Sequence, residues 1–160
     1  MQYISVEHQQ AIGERLKVAS IIVFAFCVSV VVFALIGRLI EPSETLPQSE
    51  KLNSIIPPVV IVLAMGVIVL RRVWMSAMVM RVATRNGVPA TLNRLMQMTV
   101  VCAALSEIVA IVGFMFYLLT GNYRYSLILC LVSLLLLLYT AFPRRGEWYR
   151  AVVAAANARA

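Results

Sequence analysis

One acidic residue, Glu107, lies inside a long apolar segment and is the strongest candidate for chemistry in the sequence. It stands near the centre of the stretch between Thr99 and Thr120, which carries no other charge. An ionised carboxylate at the centre of a membrane helix costs about 3 kcal/mol, which protonation or a partner can offset. Such a carboxyl can carry a proton or a cation, or it can hydrogen-bond to a neighbouring helix.

The residues around Glu107 are small. Ala103, Ala110 and Gly113 recur at helical spacing along one side of the segment, with Ser106 beside them. Small residues at this spacing let the backbone of another helix approach closely. We therefore predict a helix-packing face formed by Ala103, Ala110 and Gly113, and a proton- or ion-binding site formed by Glu107 with Ser106.

Other residue types that support catalysis or metal binding are sparse. Cys27, Cys102 and Cys130 lie within apolar runs, and the one histidine, His8, lies in the polar amino-terminal segment. The sequence has no nucleophile–base arrangement, no phosphate-binding glycine loop and no metal-ligand spacing. We predict that the protein is not an enzyme, has no catalytic residue, and binds neither a metal nor a cofactor.

The composition is typical of a membrane protein. Of the 160 residues, 62% are hydrophobic and 13% are charged, whereas soluble domains average about 45–50% and about 25%. A chain of this length cannot hide that apolar excess in a soluble core. The net charge of +7 arises from basic residues in short connectors, which favours anionic lipid over nucleic acid. The expected partners are the lipid bilayer and other membrane subunits or a second copy, and no nucleic acid.

Four apolar runs are long enough to cross a bilayer, which takes about 20 residues as a helix. The predicted fold is a single all-α transmembrane domain, residues 1–160. Its spans are predicted at about 18–40, 55–72, 99–120 and 126–142, with a connector at 73–98 and a C-terminal surface helix at 144–160. Two alternatives remain for residues 73–86, which either extend the second span or lie in the membrane interface.

The charges of the connectors predict the orientation in the membrane. The first loop is acidic on balance, whereas the second connector and its flanks carry arginines and no acid. Because basic residues favour the cytoplasmic side, we predict that both termini are cytoplasmic, in a bacterial inner (plasma) membrane. Four arginines of this connector and its flank are expected to contact lipid headgroups: Arg71, Arg72, Arg81 and Arg85.

The third span and the loop before it resemble the ion-binding hairpin of the c subunit of rotary ATP synthases. The loop RNGVP, residues 85–89, precedes the apolar run ALSEIVAIVG, residues 104–113. The preceding helix, PPVVIVLAMGVIVL, has one glycine where that family has regularly spaced glycines. The resemblance implies that Glu107 binds the transported proton or sodium ion, with Ser106 as a neighbouring ligand.

Two main functional hypotheses follow. In the first, the protein is a small, non-catalytic accessory or assembly component of a membrane complex, and Glu107 hydrogen-bonds across a helix interface. In the alternative, it is a proton- or sodium-translocating subunit similar to the c subunit. A lipid-associated or transport role of another kind is a third hypothesis.

Overall fold

The structure, a computed structural model, shows an all-α protein. It describes residues 6–40, 49–76, 81 and 84–158, among which there is no β-strand. The helices are α1 (Val6–Leu39), α2 (Ser49–Trp74), α3 (Val88–Thr120), α4 (Tyr123–Leu136) and α5 (Arg145–Asn157), with a π-helical turn at Leu137–Ala141. Four helical stretches are long and apolar enough to cross a membrane, so the predicted four-helix membrane bundle is confirmed.

The central helix of the bundle is α3. It packs against each of the other helices, whereas the backbones of α1 and α2 do not meet within the described residues. The buried share of each helix's own apolar segment is 44% in α3 and 44% in the stretch that includes α4. It is 17% in α1 and 11% in α2. Helices α3 and α4 therefore form the core pair, while α1 and α2 flank α3 and keep most of their apolar surface exposed.

Helices α3 and α4 are antiparallel and approach closely at Gly113. A Cβ atom placed on Gly113 would lie 2.6 Å from the Cβ of Leu129, so only glycine fits at this crossing. The turn between the helices contains Gly121, whose positive φ of 70° suits glycine at a helix C-terminus. Its N–H donates to the carbonyl of Tyr117 at 2.8 Å, which ends α3 and returns the chain.

Helix α1 runs parallel to α3, because their carboxyl ends lie together. The rings of Phe33 and Phe114 are 5.8 Å apart between centroids. The hydroxyl of Tyr117 donates to the carbonyl of Ile40 at the end of α1. The hydroxyl of Tyr123 donates to the carbonyl of Ala34 in α1 at 3.0 Å.

The carboxyl-terminal helix α5 lies within the segment predicted as a surface helix, 144–160, and packs onto the bundle with one side buried. Trp148 is 1% exposed, and Val152 and Ala155 are fully buried in the core cluster shared with α1 and α3. These residues recur at helical spacing and form an apolar stripe, whereas Tyr149 and Arg150 are exposed. Residues 159–160 lie outside the described residues.

The helices extend beyond the predicted membrane spans. Helix α3 begins at Val88, before the predicted start of the third span near 99, because Gly87 adopts a positive φ of 92° and Pro89 suits the first turn. Helix α2 already begins at Ser49 and ends at Trp74. The two alternatives for residues 73–86 stay predictions, because residues 77–80 and 82–83 lie outside the described residues. The first loop, residues 41–48, and the side chain of His8 also lie outside them.

Candidate functional site

The predicted site residue Glu107 lies at the edge of the buried side of α3. Its neighbours one turn away on the helix surface are Ala103, Ala104, Ala110 and Ile111. Ala103 and Ala110 are fully buried, whereas Ala104 is partly exposed and Ile111 is 39% exposed. Glu107 itself is partly exposed, so its carboxyl stands where the packed side of α3 gives way to open surface.

The buried side of α3 next to Glu107 faces α1. Phe114 contacts Phe33 of α1. Glu107 lies about two turns before Phe114 in α3, and Phe26 lies about two turns before Phe33 in the parallel helix α1, so the two residues are at the same level. Phe26 and its neighbour Cys27 are partly buried apolar residues packed against the core. At the level of Glu107, α1 therefore presents apolar side chains and no countercharge.

Glu107 has no partner within the part of the chain that the structure describes. Both salt bridges there use Glu147, and none of the side-chain hydrogen bonds between described residues involves Glu107. An unpaired carboxyl next to apolar surface is costly whether it is charged or neutral. The described part of the bundle therefore does not satisfy this group.

Ser106, the predicted co-ligand, faces away from the carboxyl of Glu107 and towards α4. It is fully buried, and its hydroxyl donates to the carbonyl of Cys102 at 2.7 Å and lies 3.4 Å from the hydroxyl of Thr140. The hydroxyl of Ser133 in α4 donates to the carbonyl of Ser106 at 2.7 Å. The structure therefore makes Ser106 part of a helix–helix contact and does not bring it together with Glu107.

The predicted packing face is buried but divided between two neighbouring helices. Ala103 and Ala110 belong to the core cluster that includes residues of α1, such as Val23. Gly113 instead meets Leu129 of α4. Small residues thus serve two different helix crossings on α3.

We expect Ser133→Ala to lower the free energy of unfolding by about 0.6 kcal/mol, a typical value for one hydrogen bond between membrane helices. Ser106→Ala is the matched variant, because the carbonyl of Ser106 that accepts from Ser133 survives the substitution. Unfolding of both variants in mixed detergent micelles would check this. Ser106→Ala keeps this bond but removes the contacts of its own hydroxyl with Cys102 and Thr140. Wild-type stability of Ser133→Ala would contradict the hydrogen bond between α3 and α4.

The structure also reveals a polar cluster that the sequence did not predict. Arg71, expected at the headgroups, is 9% exposed and turned inwards. Its Nη2 lies 3.0 Å from Oε2 of Glu147 in α5, and its Nη1 donates to the carbonyl of Tyr139. Arg72, Arg81 and Arg85 are exposed.

The hydrogen bond from Arg71 has a cause in the local backbone. In an α-helix the carbonyl of Tyr139 would accept from the residue four positions later, which is Pro143 and has no N–H. The N–H of Phe142 donates to the carbonyl of Leu137 at 3.0 Å, as in a π turn. The carbonyl of Tyr139 is left for an outside donor, and Arg71 supplies it. Pro143 was the sequence signal for such an orphaned carbonyl.

Comparison with protein-family models, with curated proteins and with solved structures finds no match for this chain. Its function is therefore inferred from the geometry of its own residues.

Proposed function

We propose that this protein is a small, non-catalytic component of a membrane complex, and that Glu107 hydrogen-bonds to a transmembrane helix of another subunit. The observation that supports this proposal is the position of Glu107. Its carboxyl is partly exposed, has no partner among the described residues, and stands beside an open side of α3.

The open side of α3 is an apolar groove in the wall of the bundle. Ile108, Ile111 and Met115 share this side and are 41%, 39% and 52% exposed. The backbones of the flanking helices α1 and α2 do not meet within the described segments, so they leave the groove open between them. A partner helix lying in the groove would run alongside Glu107.

The depth of Glu107 explains why a partner would matter. If Thr120 marks one membrane face, a rise of 1.5 Å per residue puts Glu107 about 20 Å from that face, within the hydrocarbon core of about 30 Å. Water cannot satisfy a carboxyl at that depth. A helix that brings a hydrogen-bonding group would gain about 1–2 kcal/mol from this one contact.

The orientation proposed for the protein in the membrane follows from the positive charge at one end of the bundle. Ile12 near the start of α1 lies by Arg145 of α5, and the end of α2 reaches α5 through Arg71. The start of α3 is level with these ends, because α3 runs parallel to α1. This end gathers most of the arginines of the described segments, so the positive-inside rule favours the cytoplasm for it and a bacterial inner membrane for the protein.

Transport of a proton or sodium ion is a second candidate function. The same observation favours it, because a carrier carboxyl has to be reachable from outside its own subunit. With Ser106 turned towards α4, the other ion ligands would come from a partner subunit. The resemblance to the c subunit of rotary ATP synthases motivates this alternative.

The test compares two variants. Glu107→Gln keeps the size and hydrogen bonding of the side chain but cannot ionise, whereas Glu107→Leu can neither hydrogen-bond nor ionise. We expect Glu107→Gln to retain its partner and Glu107→Leu to bind it about 5–30-fold more weakly, the equivalent of 1–2 kcal/mol. Quantitative co-purification from native membranes in mild detergent measures this. Glu14→Gln, at an exposed position of α1, is the control.

The outcomes separate the two functions. Loss of ion movement in Glu107→Gln with intact assembly would support ion transport, as would labelling of Glu107 by a carbodiimide that sodium blocks. Association only with tagged copies of the same chain would identify a second copy as the partner. Wild-type assembly and ion movement in both Glu107 variants would rule out both functions.

A further inference from the structure

A cavity of about 300 Å³ lies between the end of α2 and the junction of α4 with α5. Three arginines and one acid line it: Arg71, Arg72, Arg144 and Glu147. Three positive charges against one negative charge leave an excess of two positive charges in one concave site. Such an excess favours an anionic ligand.

The ion pairs in the cavity leave this positive charge available. The carboxylate of Glu147 is shared, with Oε2 lying 3.0 Å from Arg71 and Oε1 lying 3.4 Å from Arg144. Arg72 lies in the same lining, is exposed, and forms no salt bridge with any residue in the described ranges. Its guanidinium is therefore free to bind an incoming group.

Two of the arginines are held in place before any ligand arrives. Arg71 is nearly buried and is oriented by Glu147 and by the carbonyl of Tyr139. The guanidinium carbon of Arg144 lies 5.5 Å from the centre of the Tyr139 ring, a cation–π distance. Guanidinium groups held in this way match the oxygens of a phosphate, to which they donate paired hydrogen bonds.

We propose that this cavity binds a phosphate group, carried either by an anionic lipid headgroup or by a soluble phosphate compound. Its position suits both sources. The apolar run of α2 ends at Arg71, and Ile68 also lines the cavity. The cavity therefore lies where apolar spans give way to charged residues, the depth of headgroup phosphates, and basic pockets between helices at this level bind such groups.

The test measures lipid binding to the purified full-length protein by native mass spectrometry, with phosphatidylglycerol and with phosphatidylcholine as probes. We expect preferential binding of phosphatidylglycerol, weakened about fivefold by Arg72→Gln, since each basic residue contributes about 1 kcal/mol near an anionic surface. Arg15→Gln removes the same charge from an exposed position of α1 outside the cavity and should leave the affinity unchanged.

A second arm titrates inorganic phosphate by calorimetry, and thermal melting confirms that both variants remain folded. Binding of phosphatidylglycerol alone identifies a lipid headgroup as the source, and saturable binding of inorganic phosphate identifies a soluble one. Either result supports the site if Arg72→Gln weakens it selectively. The proposal would be overturned if neither phosphatidylglycerol nor inorganic phosphate bound. Equal losses of affinity in Arg72→Gln and Arg15→Gln would also overturn it.

Discussion

Gly113→Ala is expected to destabilise the bundle by about 1–3 kcal/mol, because the added methyl group overpacks the crossing of α3 and α4. The new Cβ would lie 2.6 Å from the Cβ of Leu129, which is joined directly to the backbone of α4 and cannot rotate away. The helices would have to separate. That movement would also lengthen the hydrogen bond between Ser133 and the carbonyl of Ser106. Unfolding in mixed detergent micelles measures the loss.

Gly66→Ala is the matched control for this prediction. Gly66 also lies within a spanning helix, but a Cβ there would meet nothing within 4 Å. Alanine is the better helix former by about 1 kcal/mol, so this variant should be neutral or more stable. Adding Leu129→Ala to Gly113→Ala should not relieve the clash fully, because alanine keeps the Cβ. Equal stabilities of the two glycine variants would contradict the close approach.

Arg71→Met is expected to lower the free energy of unfolding by about 3 kcal/mol, the lower end of the range for breaking a buried ion pair. The side chains of Arg71 and Glu147 are 11% and 19% exposed, so solvent screens the pair only partly. The substitution also leaves the carbonyl of Tyr139 without its donor. Since the backbones of α2 and α5 do not meet in the described segments, this side chain is their bridge.

Arg72→Met removes the same charge one residue further along and should change stability little, because Arg72 is exposed and makes no described ion pair. A double variant with Glu147→Leu should recover part of the loss, since no buried carboxylate is then left without Arg71. A double-mutant cycle isolates the interaction energy of the pair. It compares the chemical unfolding of the wild type, Arg71→Met, Glu147→Leu and the double variant. A coupling near zero would show that Arg71 and Glu147 do not interact in the membrane.

The membrane class and the four helical stretches could be predicted from the sequence because hydropathy is a local property. A run of about 20 apolar residues has to cross a bilayer as a helix, whatever its neighbours do. The exceptional character of Glu107 was visible for the same reason, since the apolar run around it is continuous in the sequence. The packing of Trp148 of α5 against the bundle was not predicted, because it depends on contacts with helices distant in the sequence.

The direction in which each polar side chain points depends on which helices pack together, and this was decided only by the tertiary structure. Ser106 and Glu107 are adjacent in sequence, but successive residues of a helix are rotated by about 100°, so one meets α4 while the other reaches open surface. Arg71 turns inwards because α5 returns across the end of the bundle and brings Glu147 to it. Composition along a chain determines whether a segment enters the membrane, whereas the partner of a buried polar group is set by contacts between segments distant in sequence.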